Sequence, residues 1–260
     1  MLPALEEGRG RLLYRDWPGL VGLERVTSVE RLFIAITDLG DSATLSAICL
    51  VSVAFLAWSG HRREAGAVLL AWLTAALAIA LLKIAVAGCG LHLFRLDIRS
   101  PSGHAAMSAS VLGSLAAVAS RQLTGRRRLL AVLPAALLVG AIAATRVSLG
   151  IHSLHEVLAG LVVGGSVALL ARRWMRGVAH APLDLRRLSL SLAVVALAMA
   201  GTRLPAERVI RMISASLRAH APFCAQGAGH DFWQRLATGP VAPLDAGLTT
   251  GPAWVRLRRP

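Results

Sequence analysis

The chain has 260 residues, 55% of them hydrophobic and 16% charged, and its mean hydropathy is +0.62. Soluble domains carry about 25% charged residues, so this balance excludes an ordinary water-solvated fold and points to lipid as the solvent. The formal net charge of +14 would suit a nucleic-acid binder. The arginines, however, sit in short clusters between apolar runs, where positive charge collects at membrane ends; no nucleic-acid partner is expected.

Residues 1–41 mix charges every few positions and read as an N-terminal segment that does not span. No basic start followed by an apolar core is visible there, so a cleavable leader is not expected and insertion falls to the first spanning helix. Six apolar runs follow, at Ser42–Ser59, Ala65–Ala87, Pro101–Ser120, Leu129–Thr145, Glu156–Ala171 and Leu188–Gly201. Several lie near the lower limit of about 17 residues for a crossing. They predict an all-α, six-helix transmembrane bundle over residues 42–201. Pro205–Arg218 places Val209, Ile213 and Leu217 at helical spacing with Arg208, Arg211 and Arg218 on other faces. This is an amphipathic helix, either lying on the outer membrane surface or packing on the bundle. The remainder of the segment 202–260 reads as a weakly structured tail.

The loops between runs one and two, three and four, and five and six hold eleven arginines: Arg62, Arg63, Arg121, Arg126, Arg127, Arg128, Arg172, Arg173, Arg176, Arg186 and Arg187. The other loops hold only Arg95, Arg99 and Arg146. The positive-inside rule puts the heavy set in the cytoplasm and both chain ends outside. Of the three cysteines, Cys49 falls inside an apolar run as a packing residue, and a Cys89–Cys224 disulfide on the oxidising side stays open.

Three polar clusters interrupt the chain on the predicted outer side: Lys83 with Arg95 and Arg99; Pro101-Ser102-Gly103-His104; and Arg146, His152 and Glu156. Their shared logic is phosphoryl transfer, which needs the charge of the phosphate neutralised and the phosphorus held in line. Lys83, Arg146 and a loop arginine supply fixed cations. Ser102 and Gly103, where a helix begins, supply a hydroxyl and free N–H groups aimed at an anion. A neutral imidazole becomes a good nucleophile when a carboxylate holds its other nitrogen, and His152 and Glu156 stand at i and i+4 for that purpose, given a helix begun by His152. His104 is left to protonate the leaving oxygen. His155 beside Glu156 matches no common zinc-protease order, so no metal is expected.

The order Pro-Ser-Gly-His, then Arg146-x5-His152-x3-Glu156, resembles the type 2 phosphatidic acid phosphatase family, relatives of bacterial acid phosphatases and vanadium haloperoxidases. The resemblance covers roughly residues 65–175, with motifs between 83 and 156. It implies a phosphohistidine intermediate on His152, His104 as general acid, Glu156 as the orienting carboxylate, Lys83 and Arg146 on the phosphate, and no metal or other cofactor. Three positions depart from the family pattern. Thr145 stands for Ser, Glu156 stands for Asp, and Gly90 stands seven residues after Lys83 where the family has Arg. Arg95 or Arg99 is the candidate replacement, with Arg99 favoured because it abuts the Pro-Ser-Gly-His turn.

The expected protein is thus an integral-membrane lipid phosphate or diphosphate phosphatase of a bacterial inner membrane, with its site facing the periplasm. Undecaprenyl diphosphate, phosphatidic acid, phosphatidylglycerol phosphate and a lipid A phosphate are equal candidates as substrate. A lipid phosphotransferase, and a catalytically weak membrane binding or transport protein of the same fold, remain as alternatives.

Overall fold

A computed structural model describes residues 27–89, 100–121, 123–177, 182–202, 204 and 206–220. Arg95, Arg99 and Cys224 lie outside the described residues, as does the side chain of Cys89, and with them the questions of the replacement arginine and the disulfide.

Among the described residues the chain is helical throughout, without strands. Eight helices follow in order: α1 Ser28–Asp38, α2 Ser42–Trp58, α3 Arg62–Cys89, α4 Gly103–Ser120, α5 Gly125–Ser148, α6 Leu154–Trp174, α7 Leu185–Ala198 and α8 Ala206–His220. Side-chain oxygens mark most of the starts. Asp41 caps α2, Ser102 caps α4 and Asp184 caps α7, each accepting from a backbone N–H of the first turn. Thr27 with Glu30, and Ser153 with Glu156, form full capping boxes at α1 and α6.

The six apolar runs correspond to α2 through α7; α3, α5 and α6 outrun theirs, and α7 starts three residues earlier than its run. Arg62 and Arg63, Arg126 to Arg128, and Arg186 and Arg187 fall in first turns, not loops, and Arg146 falls in the last turn of α5. An apolar run ends at its first charge, whereas the backbone continues while long side chains lean to the interface.

Among the described residues, three helices are long and apolar enough to cross a membrane: Arg62–Ala87, Gly125–Ser148 and Leu154–Trp174. A fourth crossing results if α1 and α2, bent by 45° at their junction, make one span. These crossings are those of a membrane protein. The 14 residues of α7 extend about 21 Å, short of a hydrocarbon core of about 30 Å.

Helix α4 is the axis of the bundle. Thirteen of its 18 residues are buried, most of them Ala or Ser, and α2, α3, α5 and α6 pack around it. Small residues let α6 approach closely. A Cβ on Gly160 would overlap the Ser102 carbonyl, and one on Gly164 would overlap that of Ala106. These two glycines set the register of α6 against the start of α4, where Ser102 N–H donates to the Glu156 carbonyl at 3.0 Å. Further along, Ser110 Oγ donates to the Ala71 carbonyl of α3 at 2.9 Å. Cys49 is fully buried in the core beside Leu45, Leu56, Val68 and Met175, as its place in an apolar run predicts. Helix α8 packs along α3, which decides between the two placements open from the sequence in favour of the bundle.

Candidate active site

The site is assembled where α5 ends and α6 begins. Helix α5 finishes in a left-handed turn at Gly150, with φ of +65°. Gly150 N–H donates to the Val147 carbonyl and Ile151 N–H to the Arg146 carbonyl, a Schellman ending that needs this φ and so favours glycine. His152 N–H then also donates to the Arg146 carbonyl at 3.2 Å. Two residues later α6 has started. The spacing between Arg146 and His152 is therefore that of one helix ending, one tight turn and one cap.

Glu156 serves two purposes. As the third residue of α6 it reaches back to the start of its own helix, where Oε2 accepts from Ser153 N–H at 3.0 Å. The same oxygen lies 3.0 Å from His152 Nδ1, and Oε1 accepts from Ser100 N–H at 2.8 Å. His152 precedes the Ser153 cap, so the pair does not stack along a helix face as the i, i+4 spacing suggested. It closes across the helix start, through the capping box. The additional methylene of Glu over Asp is what reaches both the cap N–H and the ring. With Nδ1 donating to the carboxylate, Nε2 carries the lone pair.

The surroundings hold this ring neutral. Burial pushes the His152 pKa below its ordinary value, the positive charges of Arg146 and Lys83 push the same way, and the Glu156 contact opposes them. Lys83 and Arg146 thus reach the imidazole electrostatically from α3 and α5. Both cations are buried. Lys83 also lies against the start of α4, its Nζ 3.8 Å from where a Cβ on Gly103 would stand. The structure brings Lys83, Ser102, Gly103, Arg146, His152 and Glu156 to one end of the bundle, with His104 in the first turn of α4. His155 is exposed, and no cluster of three or more metal-ligating side chains occurs among the described residues.

Three residues of this neighbourhood carry no motif. Thr37, buried in the last turn of α1, accepts from Arg146 Nη1 at 3.4 Å. Asp41 places Oδ2 at 3.9 Å from His104 Nε2. Glu207, in the first turn of α8, pairs with Lys83 Nζ. All three come from elements far from the motifs in sequence. A cap-forming Asp before an apolar run and a Glu in the first turn of an amphipathic helix are ordinary local features, and no spacing ties them to the site.

No curated protein and no solved structure matches the chain. The family model described as the PAP2 superfamily matches residues 86–179, which hold every motif position described above except Lys83. Over that stretch the chain is similar to the PAP2 superfamily, which is consistent with the resemblance its motifs carry to the type 2 phosphatidic acid phosphatases.

Proposed function

We propose that the protein is an integral-membrane phosphatase that removes a phosphoryl group from a lipid phosphate or diphosphate through a phosphohistidine intermediate on His152. Similarity to the PAP2 superfamily supports phosphatase-type activity in general. The observation that carries the finer reading is the His152–Glu156 pair: a half-buried imidazole with Nδ1 fixed by a carboxylate and two cations within electrostatic reach.

Phosphate oxygens meet Lys83 and Arg146, together with the Ser102 hydroxyl and the open N–H groups at the start of α4. His152 Nε2 attacks phosphorus, the bond to the leaving oxygen breaks, and His104 gives that oxygen its proton. His104, now neutral, takes a proton from water, whose oxygen attacks phosphorus and returns His152 to its neutral form as phosphate leaves. Two cations and a helix start lower the barrier by meeting charge that is already in place. Arg95 and Arg99 complete the proposal as candidates for a further guanidinium.

The arginine-rich ends of the helices support a cytoplasmic position for residues 121–128 and an outer, periplasmic position for the site. A lipid would reach that site laterally, its chains remaining between helices. Reporter fusions check this sidedness: cytoplasmic signal at residue 125 and external signal at residue 149 are expected, and the reverse pattern removes it.

The deciding assay is phosphate release from a panel of lipid phosphates by protein purified in detergent. Wild type should turn over at least one lipid, His152→Ala should retain no more than background, and His104→Ala should lose about 10²- to 10⁴-fold. Equal release by wild type and His152→Ala overturns the reading. Transfer to a second lipid without free phosphate would identify a phosphotransferase.

A further inference from the structure

The site contains a second carboxylate–histidine pair that the motifs do not include. Asp41 stands in the turn between α1 and α2, is buried, and caps α2. Its Oδ1 accepts from Ala43 N–H at 2.8 Å and from Leu204 N–H at 3.4 Å. Those two bonds, one from its own helix and one from the segment leading into α8, fix the carboxylate plane. The other oxygen, Oδ2, is turned to His104 Nε2 at 3.9 Å.

The turn is pressed onto the ring. A Cβ on Gly40 would lie 2.6 Å from Ile142 Cγ2 and 3.4 Å from His104 Cδ2, so a glycine here allows α5 and the first turn of α4 to close on the α1–α2 junction.

The charges around His104 explain what this contact does. The elements packed against this end of α4 contribute Lys83 from α3, Arg146 from α5, and His152 with Glu156 from α6. Two of these are permanent cations, and cations nearby favour loss of a proton from an imidazolium. The Glu156 carboxylate already accepts from Ser100, Ser153 and His152, and the Glu207 carboxylate sits on Lys83. A proton donor at this end of α4 is favoured by a negative charge close by, and Asp41 Oδ2 lies 3.9 Å from His104 Nε2.

We propose that Asp41 is a positioning residue for proton transfer: its carboxylate holds the His104 ring in place and keeps it protonated until the leaving oxygen takes that proton. The inference rests on the assignment of His104 as the acid in the proposed phosphatase reaction. It adds to that reaction a residue from outside the matched stretch.

Asp41→Asn tests it cleanly, because Asn caps helices about as well as Asp and removes only the charge. The variant is purified full-length in detergent beside wild type, His104→Ala and His152→Ala. Rates are followed against pH on the best lipid monophosphate, whose alkoxide must be protonated, and on p-nitrophenyl phosphate, whose leaving group needs no acid.

Asp41→Asn is expected to lose about tenfold or more on the lipid and less than about threefold on the aryl ester. The alkaline limb of its lipid kcat/KM profile should move to lower pH, because the protonated form of His104 no longer has the anion that favours it. An unmoved alkaline limb overturns the proposal, and so does equal loss on both substrates, which a purely structural role would give. Equal loss on both substrates by His104→Ala also overturns it, by removing the donor that Asp41 is said to serve. Release by His152→Ala at the wild-type rate would instead sink the underlying phosphatase reading, so the two failures are distinct.

Discussion

The two ends of the α4 axis both bury charge, and they do so in opposite ways. At the end where α3 begins, Glu64 and Arg121 meet at 3.1 Å, and Arg63 donates to the Trp174 carbonyl at 2.7 Å, tying α3 to the end of α6. There a carboxylate and a guanidinium hold each other directly. At the other end Lys83 and Arg146 are buried beside two histidines. There Arg146 Nη1 donates to the Thr37 hydroxyl, and Lys83 pairs with a carboxylate carried by the exposed side chain of Glu207. A closed pair gains little by exchanging partners, since separating it leaves two uncompensated charges. A cation held by a half-wet carboxylate, as Lys83 is, can accept a phosphate in exchange. The difference between a structural and a reactive charged cluster is thus one of how replaceable the partners are.

The comparison breaks most visibly at Glu156. Glu156→Gln keeps a side chain of the same shape but removes the charge behind His152, and turnover should drop by about 10²- to 10⁴-fold. Because both carboxylate oxygens accept from N–H groups, the amide NH2 faces one of those donors and the melting temperature should fall as well. The pH profile gives the sign. Wild-type kcat/KM should fall with acidity only below the ordinary imidazole range of about 6.5, because burial and the two cations favour the neutral ring. Glu156 opposes that effect, so the acid limb of Glu156→Gln should lie lower still. A limb that moves upward would contradict the assigned pairing.

The opposite end should respond in stability instead of chemistry. Arg121→Leu leaves Glu64 buried without its guanidinium and should destabilise the bundle by about 3–5 kcal/mol, read as a lower melting temperature in detergent. Turnover per folded molecule should be unchanged. A large loss of kcat at full stability would mean that the two ends are not separate in function.

The smallest effect belongs to Glu207. Phosphate must take its place on Lys83, so Glu207→Gln should lower KM by about two- to five-fold, the scale of an exposed ion pair, with kcat preserved. A rise in KM would show that Glu207 assists binding.

The motif residues were legible because their geometry is local. Arg146, Gly150, His152, Ser153 and Glu156 are joined by one helix ending and one helix start, and both follow from short-range rules. Helices α2 to α7 were located by their apolar runs and α8 by its amphipathic spacing, whereas α1, Ser28–Asp38, lies in a stretch whose mixed charges show no apolar run of spanning length. The mode of the His152–Glu156 contact was not legible, since i, i+4 spacing describes a helix face and the ring precedes the helix. Asp41 and Glu207 were hidden for a different reason. Asp41 looks like a cap and is one, and its second oxygen gains meaning only when α5 and α4 close on the α1–α2 turn. Glu207 looks like one charge on an amphipathic helix until α8 is seen to lie along α3. The number of crossings likewise depends on the bend at the α1–α2 junction and on the shortness of α7, neither of which shows in hydropathy.

The central claim is a covalent phosphoryl group on one imidazole. Protein quenched during turnover of a radiolabelled lipid phosphate should carry label that is lost in acid and kept in base, as expected for a phosphoramidate. That label should map to the peptide containing His152 and vanish in His152→Ala. Label of equal amount on His152→Ala, or steady phosphate release by wild type with no trapped label at any quench time, would contradict the account.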